Sequence, residues 1–571
     1  DDQKFRLSYS PSPGKVSELS AMSDYYKSAY SQSIRQTVNV YANYNKKFGD
    51  HTIEVIAGLN QDQNDYTLFS GQIDDNMFTT YGSLNLGDGI QSVADSANEW
   101  ITLGLFYRAS YDYKSKYLVE LNGRYDGTSR FPSRRRWGFF PSAAIGWVIS
   151  EEPFMDFAKP ALDILKVRAS YGSLGNQQVD AYSYFATMSK KQMSYLVDGE
   201  KIYYMTTPGL VANDLTWETV VSKNLGIDLG MFRNRLNIGF DIYERETLDM
   251  LAAGVSLPAT LGATAPEVNS ADLSVKGWEA SVMWRDKFRL FGKDAHYSIR
   301  FVMADNKAVI TRFSGNDGQL LSGYNVGEEI GTIWGLETLG FFASDEEAAG
   351  WADQTEVTTN MKNIGAGDIK FADLDKNGKI TKGKETLYDH GDLKRIGNTS
   401  IRFPYSIDLS LNWNNFDLNV FFQGVGKREF YPGPEAALFW GFYNRYYNPV
   451  MEHHVDNFWT PENPNAYFPR PRAYMANNTT NELGVSQTKY LQDASYLRLK
   501  TLTFGYTIPR HLTQKLRIEK LRVFFSGQNL LTFTKLHEAF DPEAISNISS
   551  NGAGLVYPIQ RTFTFGIDLN F

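Results

Sequence analysis

The sequence predicts an all-β fold, a transmembrane antiparallel β-barrel of about sixteen strands with long extracellular loops. Apolar and polar residues alternate over many segments of about nine to eleven residues, the length that a tilted membrane strand needs. Short turns also alternate with long polar connections, as in barrels whose turns are short on one side of the membrane and whose loops are long on the other. A soluble antiparallel sheet can show the same alternation of residues, so it stays the alternative.

Composition narrows the class of protein. The 571 residues contain no linker tract, which favours one large closed unit, and the net charge of −8 comes without the basic stripe of a nucleic-acid-binding protein. The absence of cysteine excludes disulfides, thiolate metal sites and thiol catalysis. A mean hydropathy of −0.37, without an apolar run near ~20 residues, excludes a helical membrane protein. The 34 Tyr and 37 Phe suit aromatic girdles at two membrane interfaces.

Strands of this kind recur along the chain in order. The first predicted hairpin turns at residues 48–50, and the second joins Trp100–Tyr113 to Tyr117–Tyr125. A third turns at 233–235 between alternating segments. The last strand, 561–571 (RTFTFGIDLNF), places five apolar side chains on one face and polar ones on the other. Those five residues are Phe563, Phe565, Ile567, Leu569 and Phe571.

Two irregularities carry structural predictions. The clearest hairpin runs through Ile401–Trp413 and returns after residues 414–415, but it contains Pro404, which cannot donate to a ladder and so predicts a bulge or a strand end. The apolar phase also slips between Leu499 and Leu502. One extra residue, a β-bulge, would explain that slip.

The lengths of the connections separate two sides of the predicted barrel. Short turns fall near residues 49, 115, 234, 290, 414 and 511. Long polar segments cover 70–98, 176–213, 251–272, 307–398, 427–488 and 534–558. Sandwiches and propellers have no reason to keep every long loop on one side, so this spacing favours the membrane barrel over the soluble alternative.

Several motifs resemble the SusC/RagA type of TonB-dependent outer-membrane transporter. They are spread over most of the chain in the order of that family. They are Arg124–Phe131 (RYDGTSRF), Trp137–Trp147 (WGFFPSAAIGW), Tyr171–Gln177 (YGSLGNQ), Asn224–Met250 (with NLGIDLG and YERETLDM), Trp459–Asn465 (WTPENPN), Ser495–Pro509 (SYLRLKTLTFGYTIP), Gly527–Thr534 (GQNLLTFT) and Asp541–Glu543.

The resemblance implies a barrel of 22 strands plugged by an N-terminal domain, which imports a nutrient with energy from TonB and works with a SusD-like surface lipoprotein. No signal peptide, plug or TonB box is recognisable, so residues 1–571 are expected to be the C-terminal part of such a barrel. The expected cargo is an oligosaccharide, with an oligopeptide or another ligand as the alternative. A passive porin or an adhesion barrel in the outer membrane is the competing class.

Residues 373–381 (DLDKNGKIT) resemble the start of a calcium-binding loop. Gly378 would permit the sharp turn, but the twelfth position is Lys384, and Glu385 comes one place late. A polar hairpin turn is the alternative. A bound ion would stiffen a long loop and carry no chemistry. The expected ligands are Asp373, Asp375, Asn377 and the carbonyl of Lys379.

An aromatic segment near residue 440 is the candidate site for a ligand or a partner. Exposed aromatic faces beside polar groups bind sugars and peptides, although aromatic residues in a long loop equally often form the core of that loop. The candidates are Trp440, Tyr443, Arg445, Tyr446, Tyr447, Trp459 and, less directly, Trp334.

Other polar clusters carry weaker predictions. Residues 134–136 (Arg-Arg-Arg) lie on a connection expected outside, where they could pair with lipopolysaccharide phosphates or simply be solvated. His453 and His454 lack the HExxH spacing, and Ser173 between glycines lacks the following helix of a nucleophile elbow. No enzyme activity and no required cofactor are therefore expected.

Overall fold

The computed structural model describes most of the chain. The described residues are 25–74, 83–87, 89, 91–199, 201–255, 257–263, 265–316, 318–359, 361, 363–434, 436–445, 448–472, 481–545 and 559–571. Among them, none of the helices has the length and apolar character needed to cross a membrane.

Within the described ranges, fifteen long strands form one sheet, and hydrogen-bonded neighbours follow one another in chain order. The earlier ones are β1 (Tyr25–Phe48), β2 (His51–Asp74), β3 (Gln91–Tyr113), β4 (Tyr117–Thr128), β5 (Trp137–Val148) and β6 (Leu162–Asn176), followed by the short β7 (Lys190–Gln192) and β8 (Tyr203–Met205). The next are β9 (Glu218–Met231), β10 (Leu236–Ala253), β11 (Glu267–Leu290) and β12 (Lys293–Phe313).

Short elements then alternate with the remaining long strands. They are β13 (Thr332–Gly335), β14 (Thr338–Phe341), α1 (Asp345–Ala349), β15 (Ile369–Phe371), β16 (Lys394–Asn398), β17 (Arg402–Trp413), β18 (Phe416–Lys427), β19 (Glu429–Phe430), α2 (Ala437–Trp440), β20 (Gln492–Asp493), β21 (Tyr496–Ile508), α3 (Arg510–Thr513), β22 (Lys520–Thr534) and β23 (Thr562–Asn570). Single 3₁₀ turns cover Ile149–Glu151, Pro153–Ala158, Ala259–Leu261, Thr355–Thr358, Gly441–Tyr443, Glu452–His454 and Gln514–Leu516.

Contacts divide the chain into two compact units. The first unit contains Asp1–Tyr111, Glu120–Ser142 and Leu174–Glu218, and the second contains Asp112–Val119, Ala143–Ser173 and Thr219–Phe571. In the first unit, β1 and β2 pair antiparallel over their whole length. In the second unit, every neighbouring pair from β9 to β23 in the large sheet is antiparallel.

The turns that the sequence placed on the short side are confirmed. Asn414 and Asn415 both have positive φ, 45° and 69°, which is the conformation that matches the twist of a two-residue hairpin. Pro404 lies two residues inside the start of β17, beside Phe403 with φ 50°. The predicted bulge is also present, because the register of β21 shifts between Leu499 and Thr501 against both of its neighbours.

Several strands are much longer than a membrane needs, and β1 and β2 are examples. β1 and β2 have 24 residues each, whereas a tilted membrane strand has about nine to eleven. Toward the long connection, polar pairs enter the ladder of these two strands. Arg35, for example, donates from Nε to Asp62 Oδ1 at 2.9 Å, and Thr37 donates to the same oxygen at 2.9 Å. Such pairs continue the ladder in water, so the sequence pattern underestimated the length of this hairpin.

The two faces of the second unit differ as the alternation predicts. Large apolar side chains remain exposed on one face, including Phe240 at 41%, Ile242 at 46% and Ile299 at 45%. The opposite face carries ion pairs such as Arg168 with Asp241. An apolar face left open over neighbouring strands is stable in hydrocarbon rather than in water, and the soluble alternative is not supported.

The long connections of the second unit fold together into one body. We call the described residues within 314–401, 428–495 and 535–545 the loop body. The parallel bridge between Leu336 and Gln487 ties its first two segments, with Leu336 N donating to Ser486 O at 2.9 Å. Arg498 of β21 donates to Asp541 at 2.9 Å and so ties the third segment to the sheet. Its core is made of Leu336, Val357, Ile369, Phe371, Ile380, Leu393, Ala436, Phe439, Trp440, Tyr443, Phe468, Leu483, Val485, Tyr490, Ala494, Leu536, Phe540 and Ile545.

Candidate functional site

The aromatic segment near residue 440 lies inside the loop body. Trp440 and Tyr443 are both 0% exposed. The indole Nε1 of Trp440 donates to Gly433 O at 3.0 Å, and the Tyr443 hydroxyl donates to Pro469 O at 2.6 Å. Burial raises the pKa of Tyr443. Their rings therefore form the loop's own core, which was the alternative left open by the sequence, and a ligand does not reach them in this arrangement.

The neighbouring candidates are also mostly enclosed. Trp459 is 9% exposed, and the backbone of Gly367 passes so close that a Cβ there would lie 2.3 Å from the indole. Arg445 is half-buried and donates from Nη1 to Asn444 O at 3.0 Å. Tyr446 and Tyr447 lie outside the described residues.

Trp334 is half-buried and packs against the core of the loop body. It lies on β13, and its Nε1 donates to Glu328 Oε1 at 2.8 Å. The Arg395 guanidinium lies 5.2 Å from the ring centroid, and the His390 ring lies 5.4 Å away. Trp334 therefore has a fixed orientation beside polar groups, which suits a contact with a sugar or peptide.

Two exposed aromatic residues of the loop body were missed by the sequence analysis. Tyr388 is 83% exposed and Tyr324 is 58% exposed. Each stands singly among polar residues, so neither forms a recognisable cluster. Only the packing of the loop body shows that their rings stay outside its core while those of Trp440 and Tyr443 turn inward.

The predicted calcium loop contains a three-carboxylate cluster with an unexpected member. Asp373 and Asp375 are joined by Asp392, and their carboxylate oxygens lie within 4.8 Å of one another. Asp392 is 0% exposed and is oriented by Leu374 N at 2.7 Å and Thr381 N at 2.8 Å. Crowding three carboxylates raises their mutual repulsion, which a hard cation with oxygen ligands would relieve.

The other two expected ligands of that loop have local roles. The side-chain amide of Asn377 donates to Asp375 Oδ2 at 2.8 Å, and Asn377 Oδ1 accepts from Lys379 N at 2.8 Å. Gly378 has φ +82°, the left-handed conformation that the sharp turn requires. Asp392 comes from a later turn, and therefore the spacing rule for a continuous loop could not find it.

A buried charge cluster holds the first two segments of the loop body together. Asp368, which is 0% exposed, accepts from Arg470 Nε at 2.8 Å and from Arg472 Nε at 2.7 Å. Glu482 is also 0% exposed and accepts from Ile369 N at 2.8 Å. Burial, together with the charge of Asp368, raises the pKa of Glu482 to about 8. The cluster therefore contains one ionised carboxylate between two arginines and a neighbouring carboxyl that stays protonated at neutral pH.

Three of the seven histidines pack into the same core. The His453 ring lies 4.1 Å from that of His454 and 4.5 Å from that of His537. His454 Nε2 lies 2.9 Å from Phe439 O. Burial is the main cause that lowers the pKa values of His454 and His537 to about 4, so both are neutral at pH 7. This setting is structural, as the sequence analysis expected.

The polar face of the second unit offers fixed charges. Arg168 donates to both oxygens of Asp241 at 2.6 Å and to Asp228 at 3.2 Å. Arg522 donates to Asp417 Oδ2 at 2.6 Å and to Asp568 Oδ2 at 2.9 Å. Charges held in pairs on one face of the strands suit a water-filled or protein-filled interior.

Comparison with known proteins identifies relatives of this chain. The sequence model of the family described as "TonB dependent receptor-like, beta-barrel" matches residues 1–530. TonB-dependent receptor P3 of Formosa agariphila is 31% identical over 94% of this chain and 53% of its own length. TonB-dependent receptor SusC of Bacteroides thetaiotaomicron is 25% identical over 93% of this chain and 50% of its own length.

Solved structures show the same fold. The structure titled "Structure of the RagAB peptide transporter" superposes with a TM-score of 0.76 at 20% identity, over 97% of this chain and 57% of that one. The chain thus spans about half the length of the curated relatives it matches.

Proposed function

The chain belongs to the TonB-dependent receptor-like β-barrel family, and from this premise we propose that it forms the wall and the loops of an active importer of a complex nutrient, energised through TonB. The family consists of outer-membrane transporters rather than enzymes, so its location is the outer membrane. The match over residues 1–530 is the observation that carries the proposal. The polar face with its fixed ion pairs, exemplified by Arg168 with Asp241, supports it because an importer needs a hydrophilic interior.

An oligosaccharide is the proposed cargo. Tyr324 and Tyr388 are exposed on the loop body, and the half-buried Trp334 has charged neighbours that could bind hydroxyl groups. Such surfaces bind sugars through ring faces and polar edges. An oligopeptide is the alternative, because the same chemistry also suits peptide side chains and backbone.

Two protein partners belong to the proposal. The TonB complex would act through parts of the protein outside this chain, and a SusD-like lipoprotein would cover the loops. Support for a covering protein comes from the hairpin of β7 and β8 in the first unit. Its region leaves large apolar side chains open, including Tyr195 at 60%, Leu196 at 62% and Tyr203 at 61% exposed.

A structural calcium ion is a further part of the proposal. Asp373, Asp375 and Asp392 provide carboxylate oxygens, the donor type that calcium prefers. The ion would fix the turn at Gly378 to the later turn that carries Asp392 and so stiffen the loop body. It would not take part in transport chemistry.

Growth of a strain that lacks the full gene tests the proposed import. The strain is supplied with single glycans or peptides and is complemented with the wild-type gene or with a Trp334→Ala variant. We expect a growth defect on one class of nutrient, full rescue by the wild type and weaker rescue by W334A. A Phe291→Ala variant, whose ring is 87% exposed at a short turn, is the matched control and should rescue fully.

Removing TonB separates the competing classes. An active importer loses growth on that nutrient in a strain without TonB, whereas a passive porin does not. Unchanged growth of the deletion strain on every glycan and peptide would overturn nutrient import. A defect on peptides alone would replace the oligosaccharide by an oligopeptide.

A further inference from the structure

We propose that the outer face of the wall carries a binding site for a phosphorylated lipid headgroup, built by Lys276 of β11 and Lys307 of β12. The site goes beyond nutrient import, because it lies on the face that carries the apolar band and not on the polar face. All residues that form it belong to the second unit.

Both lysines point to the apolar face of the sheet. Side chains two residues apart share a face, so Lys276 lies on the side of Val282, and Lys307 lies on the side of Phe301. Val282 and Phe301 are each 37% exposed large apolar residues. This is the face that contacts hydrocarbon.

The lysines lie just beyond the edge of the apolar band. On β17 the band runs from Tyr405 to Trp413, eight strand intervals, or about 20 Å of membrane height at a tilt of about 40°. Tyr405 pairs with Met303, and Lys307 lies four residues farther toward the long connection. That step adds about 10 Å of height, which places its ammonium group at the level of lipid headgroups.

The two ammonium groups face a shared cleft. Lys276 and Lys307 are direct cross-strand partners, an arrangement in which like charges repel. Each leans away toward a flanking carboxylate, with Lys276 Nζ 3.2 Å from Glu244 and Lys307 Nζ 4.0 Å from Glu329. Their side chains stay 74% and 59% exposed. An anion between them would remove the repulsion that the sheet register imposes.

A cavity of about 520 Å³ occupies this position. Its lining carries three cationic groups, Lys276, Lys307 and Arg402, and one carboxylate, Asp305, while Glu244 and Glu329 stand beside the two lysines. Arg402 is already committed to Asp305 through Nε at 2.6 Å, whereas the two lysines hold only exposed, weak ion pairs that a phosphate group can displace. Trp278 forms the side nearest the apolar band.

These features favour a phosphorylated glycolipid over free phosphate. The cavity is far larger than one phosphate group and falls within the range of about 300–1,000 Å³ typical of ligand pockets. It also opens on the face of Trp278 and Met303, where acyl chains can pack below the headgroup. A phosphate held by the lysines and chains lying on the band would use both parts of this surface.

Native mass spectrometry of the full transporter in detergent tests the site. The probes are a bisphosphorylated glycolipid of the lipid A type, its dephosphorylated form and inorganic phosphate. We expect the double variant K276Q/K307Q to bind the phosphorylated lipid about tenfold or more weakly, since two charge-assisted contacts are lost. The single variant K276Q should show an intermediate loss, and its exposed position preserves folding.

The control is K46Q, which removes another outward lysine beside Tyr44 and Phe48 at the short-turn end of β1. It should bind like the wild type. Equal binding by K276Q/K307Q, equal binding of the dephosphorylated lipid, or lysine-dependent binding of inorganic phosphate as tight as that of the lipid would each overturn the proposal. An unchanged melting temperature of K276Q confirms that any loss is local.

Discussion

Asp368→Asn should loosen the loop body while leaving the size and shape of the side chain unchanged. The carboxylate is 0% exposed and accepts hydrogen bonds from both Arg470 and Arg472. Gly365 N also donates to it at 2.9 Å. An amide can accept some of these bonds but cannot neutralise two guanidinium groups. The substitution therefore isolates the electrostatic contribution of this one charge.

The expected magnitude follows from the burial of the cluster. Removing one partner of a buried ion pair costs about 3–5 kcal/mol. Glu482 offsets part of this loss, because the charge of Asp368 is one of the causes that keep its pKa raised. Without that charge, Glu482 can ionise and partly replace it. We expect a net loss of about 2–3 kcal/mol, or about 30- to 150-fold in the opening equilibrium of the loop body.

Hydrogen exchange of the full protein in detergent measures that equilibrium locally. Peptides covering residues 365–372 and 481–494 should exchange faster in D368N, while β17 and β18 keep their protection. The matched control is Asp389→Asn, the same chemical change at a carboxylate whose nearest cation, Lys384, is 3.8 Å away at the surface. It should cost less than about 0.5 kcal/mol.

The compensation by Glu482 gives a second, sharper test. D368N/E482Q should lose more than D368N, because no carboxylate remains between the arginines. An unchanged exchange rate in D368N, or a double variant no worse than the single one, would refute the account of the cluster.

Four further predictions concern the same loops. Calcium should raise the protection of the loop body against hydrogen exchange by about 2–3 kcal/mol at a hundredfold excess over Kd. Asp375→Asn should abolish this gain, whereas Glu385→Gln should keep it. Protection of the wild type that does not depend on calcium would exclude the ion. Lowering the pH from about 6.5 toward 4 should destabilise the loop body. His454 and His537 have pKa values of about 4 in the folded state against 6.5 in the unfolded state, so the unfolded chain binds more protons in this window. The dependence of hydrogen exchange on pH should be flatter in H454Q/H537Q. Raising the pH from about 4.5 to 8 should lower the stability of the loop body, because the raised pKa of Glu482 makes the folded state bind one more proton than the unfolded state in that window. Glu482→Gln should remove this dependence of stability on pH. Gly441→Ala should lower the stability of the loop body by about 2 kcal/mol or more, since φ is +52° and a Cβ would lie 2.4 Å from the His454 ring. Gly433→Ala, which has open space around it, should be neutral in the same exchange assay.

The strands of the wall could be read from the sequence because their signal is local. A period of two residues fixes which side chains share a face, and paired asparagines at 414–415 fix a tight turn. The slip between Leu499 and Leu502 even located a bulge, because an extra residue reverses the phase of everything after it. The long hairpin of β1 and β2 extended beyond the prediction, since polar pairs such as Arg35 with Asp62 interrupt the alternation in its outer part.

The loops could not be predicted to the same depth. Trp440 and Tyr388 are both aromatic residues in long polar connections, yet one is 0% and the other 83% exposed. Their direction depends on segments more than a hundred residues apart meeting, as Leu336 does with Ser486. Asp392 joins Asp373 and Asp375 because a turn that follows the continuous motif brings it there.

The sequence by itself therefore determined the wall, its faces and its short turns, since each depends on neighbours two residues away. Only the tertiary structure decided which loop side chains are core, which are open to a ligand, and that Lys276 and Lys307 share a cleft on the outer face. Those outcomes depend on strand register and on contacts between distant segments, and no local pattern of residues encodes either of them.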